Sequence, residues 1–529
     1  MGYGKHFEIF AADKRDFFAS GIKTINEVEK KASFNDYGYI ATNEKLIREE
    51  FNLLFKRLRE DEVKQDIIWF YCYYCCLMLQ NYHLAYDQKK KSEEFANLAK
   101  QIQTRCDSGS FPQEKSKQDS FLTFLAHKIS EALEDLVLTP TQISKIRDKV
   151  AFANLIRLYW VFCRNVITQA FTIGSDWGWI DKINSSLDVN IDVDNIISTL
   201  EKPNSTLRVL SVAFFSVRFI INSAMLIKHV WFPSEEEKKL NWKKRFANEI
   251  YKRHGDLLND LVWGPVNLVT NYNHLFGIAN PAVGYILVGF LFFDLCLIIW
   301  RRFLAKQEYL TKHLQLTKDR QFYETSSRVI PDYNQSKAEL SKQLEQMNLD
   351  AEQCRILTQQ INDLELNWQA KDETFWFSAT AAILLMVGFS GAMVFSAPVL
   401  IFASYAICTF AVAMYLSTEE YNNYKTKQLI SDQSITKDLN VVQAANDYST
   451  AQNEFIWALF KNAVVPTLAI TLYAVCWQAA LVLTAAFFCY QLFNLYCEYS
   501  RASEESTQQG TLASKDENDV ELELLQFAC

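Results

Sequence analysis

Two stretches of this chain contain no Asp, Glu, Lys or Arg: residues 375–416 and 462–497. Each is nearly twice the ~20 residues a helix needs to cross a hydrocarbon core. No core helix in water requires so long an apolar run, so the pattern implies lipid as the solvent. Each run divides into two helix-sized halves, 375–395 with 398–416 (hinged near Ser396-Ala397-Pro398) and 456–475 with 477–497. Another doublet, 257–275 with 281–300, breaks at Asn280-Pro281. Its second half is strongly apolar from Val283 to Trp300 and carries one charge, Asp294; its first half holds Asp260, Pro265 and His274. The doublet 152–173 with 207–230 is marginal. In 207–230 the apolar side chains contribute roughly −3 to −6 kcal/mol against about +3 for the central Arg218. Segment 152–173 holds Arg157 and Arg164 and sums near zero on the same scale. That pair either spans or packs as two long helices in the soluble part.

Outside the doublets the pattern becomes amphipathic. Apolar residues recur at helical spacing in 15–30, 44–60, 67–84, 92–104 and 118–137, which predicts a soluble helical head over 1–150. Ser108 to Pro112 reads as a loop, and Thr139-Pro140 opens a further helix. Ile67 to Leu79 is very apolar but too short to cross a bilayer, so it reads as a core helix.

Residues 301–374 are the most regular soluble stretch. Tyr333, Leu340, Met347, Cys354, Ile361 and Trp368 fall every seven residues, and Leu357 and Leu364 add a second stripe position. Heptad spacing predicts a coiled coil, weakened early by Ser336, Gln343 and Asp350. Pro331 divides the stretch, so 303–328 and 333–371 are expected to fold back as an antiparallel stalk standing on the membrane. The stalk either pairs with itself or docks a protein partner.

Residues 231–256 contain a basic amphipathic segment. Ser234 is its expected cap, with Trp242, Phe246 and Ile250 as an apolar stripe and Lys243, Lys244 and Arg245 as cationic flank. Such a helix either lies on anionic headgroups or packs on the head. Residues 417–455 form a polar helical connector, with Leu439, Val442 and Tyr448 as a strip, and 498–529 an acidic tail whose composition predicts disorder.

Charge then orients the doublets. Segment 228–256 holds eight Lys and Arg and segment 301–374 eleven, whereas 175–206 holds two Lys against six acids. If each doublet is a hairpin, the positive-inside rule places head, stalk, connector and both termini in the cytoplasm. The net charge of −8 points away from nucleic acid.

Candidate chemistry is sparse. Arg164, Arg218 and Asp294 would be polar groups at membrane depth, where ionisable residues carry function by default. Cys72, Cys76 and His83 share one helix face, embedded among Trp69, Phe70, Tyr71, Tyr73 and Tyr74; a buried aromatic face explains them, and a metal site would need a second ligand pair. The chain shows no P-loop, GxGxxG, HExxH or GxSxG pattern, so neither an enzyme nor a cofactor or metal site is expected. Residues 1–20 lack the apolar core of a signal peptide.

The acidic end with Leu524, Leu525 and Phe527, together with the stretch Asn259-Asp-Leu-Val-Trp-Gly264 before a span, resembles coiled-coil membrane proteins of Legionella-type intracellular bacteria. The resemblance implies a C-terminal signal for type IV secretion, as in exported effectors, and transfers no functional residue. The expectation is an all-α, polytopic helical membrane protein of hairpin pairs with an N-terminal helical head and an antiparallel coiled-coil stalk. Its expected function is that of a membrane-anchored interaction or scaffold protein, with lipid and a protein bound through the stalk as partners. The alternatives are a channel or transporter using Arg164, Arg218 and Asp294, or membrane shaping by the hairpins.

Overall fold

The computed structural model describes residues 3–33, 37–60, 66–86, 88–108, 143–188, 190–235, 237–327, 337–437 and 441–475, with 482, 485, 486, 490, 493 and 500 beyond. Among them are fifteen α-helices and two 3₁₀ turns, with no strand. The helices are α1 (Tyr3–Ala19), α2 (Ile25–Ser33), α3 (Tyr37–Glu60), α4 (Asp66–Ala85), α5 (Lys89–Ser108), α6 (Ile143–Asp176), α7 (Trp179–Leu187), α8 (Val193–Glu201), α9 (Asn204–Trp231), α10 (Trp242–Asn271), α11 (Asn280–Ser327), α12 (Lys337–Val394), α13 (Pro398–Leu416), α14 (Thr418–Lys437) and α15 (Val441–Val475). The chain divides into two compact units. The first comprises Met1–Pro112, Phe219–Ser396 and Ala403–Ala463; the second comprises Gln113–Arg218, Ala397–Phe402 and Val464–Cys529.

Among the described residues, five stretches are long and apolar enough to cross a membrane: Val193–Trp231, Ala282–Ser326, Gln346–Val394, Pro398–Leu416 and Val441–Val475. They include or closely overlap the expected segments 207–230, 281–300, 375–395, 398–416 and 456–475. The helices holding 152–173 and 257–275 are not among them. Each is too polar along its length: Arg157 and Arg164 interrupt α6, and α10 buries Asp260 and Asn267 on its inner face. Most of 477–497 and of the acidic tail lies outside the described residues, as do Pro331, Tyr333, Ser336, Leu439, the stretch 109–142 and the tail residues Leu524, Leu525 and Phe527.

In the first unit, α1 to α5 enclose an aromatic core. Trp69, Tyr71, Tyr74, Phe17 and Ile47 are fully buried, and Phe17 meets Tyr74 at 4.9 Å and Tyr71 at 5.2 Å between ring centroids. Helix α4 supplies most of this core because it is apolar on every side, as a helix enclosed by its neighbours must be.

Helices α11 and α12 run side by side in opposite directions. Gly284 lies against Met393, Arg302 pairs with Asp372 at 2.8 Å, Tyr309 stacks on Trp368 at 5.1 Å, and His313 meets Glu365 at 2.9 Å; one number rises as the other falls. Helix α11 has 48 residues and α12 has 58, so at 1.5 Å per residue they are about 72 and 87 Å long. Their apolar ends and polar ends belong to the same unbroken helices. The expected partner of 281–300 was 257–275; the antiparallel neighbour of its N-terminal end is the apolar part of α12. Helix α10 still touches α11, with Trp263 Nε1 donating to Asp294 at 2.9 Å.

Where α12 and α13 cross, side chains are small. A Cβ built on Gly388 would stand 2.7 Å from the Ser404 carbonyl oxygen, and one on Gly391 2.6 Å from Ser404 Oγ. Close backbone approach through small residues is how helices pack where lipid removes the hydrophobic driving force.

The second unit holds α6, α7 and α8 together with the first half of α9. Asp192 caps α8, its carboxylate accepting from Asn195 N at 3.1 Å. Cys163 Sγ lies 3.2 Å from Thr467 Oγ1.

Candidate functional site at the junction of head and helical pair

The polar halves of α11 and α12 are not a free-standing stalk. Ile356 of α12, 2 % exposed, belongs to the head's own core, and Leu316 of α11 packs against it. One face of α11 carries Ala305, Tyr309, Lys312, Leu316, Asp319 and Tyr323 at three- and four-residue spacing, so all six lie on one side of the helix. Lys312 and Asp319 of this face, and Glu308 beside it, find partners in the head. Lys312 Nζ reaches Glu49 at 2.5 Å and Glu308 at 3.2 Å; Lys45 reaches Glu308 at 2.6 Å; Arg15 reaches Asp319 at 3.6 Å.

The most deeply placed of these contacts is internal to the head and borders the pair. Lys14 Nζ lies 2.5 Å from Glu50 Oε1, both side chains buried. Glu50 also accepts from Gln360 Nε2 of α12 at 3.3 Å. Burial by itself would lower the Lys14 ammonium, but the Glu50 carboxylate outweighs it and holds Lys14 above its ordinary value. Nearby, burial lifts the Asp13 carboxyl, although Tyr39 and Tyr74 donate to it at 3.0 and 3.2 Å.

A cleft of about 400 Å³ opens at this junction. Phe10 and Leu46 line it from the head, Tyr309 and Lys312 from α11, and Gln360 and Trp368 from α12. Its volume falls in the range of small-molecule sites.

A second polar cluster joins the end of α4 to α9 and α10. The His229 ring stacks on Tyr86 at 4.1 Å, and its Nδ1 lies 2.6 Å from Glu237 Oε1. Tyr86 donates to Glu249 at 3.1 Å, and Arg253 pairs with Glu249 at 3.0 Å. Ser234 and Glu237 cap one another reciprocally, the Ser234 N–H donating to Glu237 Oε2 at 2.8 Å.

That cluster changes the expectation for 234–254. Ser234 caps a 3₁₀ turn, Glu237–Lys239, and the helix starts later, with Asn241 as its cap. It then continues through Pro265 to Asn271 as one element. Arg245 does not face solvent as a headgroup ligand: its guanidinium donates to the carbonyls of Leu240, Glu237 and Val230 at 2.5, 3.2 and 3.0 Å. Trp242 and Phe246 are 54 % and 38 % exposed, Lys243 and Lys244 are exposed, and Ile250 is half-buried.

The other singled-out residues separate into groups. In α12, Leu357 and Ile361 are buried, whereas Leu340, Met347, Cys354, Leu364 and Trp368 are half-buried. The buried set also includes Asp350, Gln353, Ile356 and Gln360, because α12 packs on two neighbours, α11 and the head, and one heptad stripe describes only one of them. Asp294 is held by Trp263. Arg164 donates to Asn165 at 2.9 Å and to Asn204, the first residue of α9. Arg218 lies with its guanidinium 5.9 Å from the Phe215 ring. Cys72, Cys76 and His83 are core groups: Cys76 donates to the Phe95 carbonyl at 3.3 Å, and His83 Nδ1 meets Gln88 at 2.8 Å. Burial pushes the Cys76 thiol up to about 12 and Cys72 well above the usual thiol range, which suppresses the thiolate that metal binding requires. Among the described residues no group of three or more His, Cys, Asp and Glu is placed to hold a metal.

The sequence reading missed Glu49, Glu50, Tyr309, Lys312 and Gln360. The signal was present as the mixed row from Ala305 to Tyr323, but 303–328 was expected to pair with 333–371 as a stalk rather than with the head.

These elements define a class: the regular structure of the described residues is all helical, with five helices among them long and apolar enough to cross a membrane, compatible with a multi-pass membrane protein. No family model, no curated protein and no solved structure matches it.

Proposed function

We propose that this is a membrane-anchored interaction protein in which the head and the paired helices α11 and α12 act as one docking body. One observation carries the reading. The face of α11 turned to the head is satisfied by it, while Leu310 and Leu314, 47 % and 58 % exposed, stand uncovered on a helix continuous with a candidate span. A rigid helix bearing an open apolar row is a common form of protein docking surface. Arg301 and Arg302, directly after the apolar part of α11, support a cytoplasmic location for the docking body. Trp242, Lys243, Lys244 and Phe246 are available to anionic headgroups at the start of α10. No catalytic step is part of the proposal.

The test is in-cell crosslinking of full-length protein followed by partner identification. A Leu310→Glu/Leu314→Glu double variant is expected to stay in the membrane and lose its crosslinked protein. An unchanged crosslinking pattern overturns the reading.

A further inference from the structure

We propose that Trp300, Trp376 and Trp457 form a girdle seated at the headgroup level of one phospholipid leaflet, and that this level holds the exposed row of Leu310 and Leu314 out in water. The proposal rests on the reading of the apolar helices as spans.

Three helices bring these rings to one height. Tyr309 of α11 stacks on Trp368 of α12, and Gly284 lies against Met393. Counting nine residues back along α11 from the first contact, or sixteen forward from the second, gives the same antiparallel register: residue 300 is level with residue 377. Arg302 agrees, since it pairs with Asp372 at 2.8 Å while its guanidinium lies 4.8 Å from the Trp376 ring. Helix α15 joins at the same height, because Phe377 meets Phe455 at 5.8 Å, and Trp457 follows two residues, about 3 Å, farther on. Trp300, Trp376 and Trp457 are 41, 52 and 45 % exposed.

What covers them follows from the chemistry on either side of that level. On one side, α11 back to Asn280 carries a single charge, Asp294, and 377–394 of α12 and 462–475 of α15 carry none. On the other side charges begin at once, with Arg301, Lys371 and Glu454. Lys461, one turn past Trp457, can raise its ammonium to the same height on its long stem. An indole has an apolar body and one N–H donor, which suits the boundary between hydrocarbon and headgroups. A protein partner would have to match one height on three separate helices; a leaflet does so by being flat.

Helix length gives an independent measure. Trp300 is twenty residues from Asn280, where α11 starts, and Trp376 is twenty from Ser396, in the turn after α12. Twenty residues rise about 30 Å, the thickness of a hydrocarbon core. Two helices running in opposite directions thus mark out the same slab. Leu310 and Leu314 lie ten and fourteen residues beyond Trp300 on α11, about 15 and 21 Å farther along. That exceeds the ~5–8 Å of one headgroup layer. A partner docked on that row therefore approaches from the aqueous phase and not as a neighbouring span.

The test is tryptophan quenching of the full chain in vesicles of phosphatidylcholine brominated either high on the acyl chain or near its end. The emission of each girdle residue is the difference between the native protein and Trp300→Phe, Trp376→Phe or Trp457→Phe. All three are expected to lose more emission to the shallow bromines than to the deep ones. Phe292→Trp, at an exposed position eight residues deeper on α11, should show the reverse order. Leu314→Trp should be quenched by aqueous acrylamide and by neither lipid. If Phe292→Trp escapes both lipids, the reading of α11 as a span fails and takes the proposal with it. If Phe292→Trp is quenched but the girdle tryptophans escape both lipids or lose more to the deep bromines, or if Leu314→Trp is quenched by lipid, the span stands and the proposal is overturned.

Discussion

Helix α12 crosses from one packing regime into another without a break. Its first part, to about residue 371, meets its neighbours through Gln353, Ile356, Gln360 and charged groups that find counter-ions. Its last part, 375–394, meets them through Met393, which lies against Gly284 of α11, and through Gly388, Gly391, Ala381 and Ala382. One backbone, two sets of rules: beside water, apolar burial and satisfied ion pairs stabilise contact, whereas in lipid the gain comes from how closely backbones approach. The boundary lies near Arg302, which pairs with Asp372 while its guanidinium stacks 4.8 Å from the Trp376 ring.

Substitutions on either side of that boundary test the contrast. The largest effect is expected at Glu50→Ala, which strands the buried Lys14 ammonium; removing one partner of a buried pair costs about 3–5 kcal/mol, read as lost head stability in chemical unfolding followed by tryptophan fluorescence. Ile356→Ala empties a core position in the head from a residue of α12 and should cost about 2–5 kcal/mol by the same assay. In the apolar part, Gly388→Leu drives a side chain into the Ser404 backbone and should cost about 1–3 kcal/mol, seen as earlier unfolding in mixed detergent micelles with head fluorescence unchanged. If Gly388→Leu lowers head stability as much as Ile356→Ala does, the two regimes are not separable.

A pH titration sharpens the polar side. Lys14 is held above its ordinary value in the folded protein, so the folded state binds its proton more tightly than the unfolded chain does. Its contribution is whole below the unfolded value, about 10.4, and is lost as pH rises through the higher folded value. Thermal midpoints should therefore fall as pH rises above the unfolded value, and less steeply in Lys14→Met. The smallest effect is expected at Lys312→Met, whose partner Glu49 is substantially exposed; such a pair contributes about 0–1 kcal/mol, and its loss should shrink further at high salt.

Legibility followed solvent. The uncharged runs needed no partner to be recognised, because a bilayer imposes the same demand on every crossing segment. Helices α3 and α4 were readable in outline from the spacing around Ile47, Phe51 and Leu54 and from the aromatic density of 67–84. The junction was not. Lys312 and Asp319 sit at positions that face the head, and a charge at a packed position looks like solvent exposure until its counter-ion is known. Those counter-ions, Glu49 and Arg15, lie more than 250 residues away in the chain. Arg245 misled for the same reason: its partners are three carbonyl groups, and backbone carbonyls have no sequence signature.

The heptad in 333–371 shows the limit of periodicity. It placed Leu357 and Ile361 inside, but it could not register that α12 has two neighbours, so it passed over Ile356 and Gln360.

The amino-acid sequence by itself determined that the chain is helical and carries helices long and apolar enough to cross a membrane, since composition and run length answer to the solvent alone. Tertiary structure decided which helix lies beside which, and hence that the head grips the pair and leaves a lined cleft between them. Those choices depend on pairwise contacts between distant residues, and a linear pattern records the demand for a partner without recording who meets it.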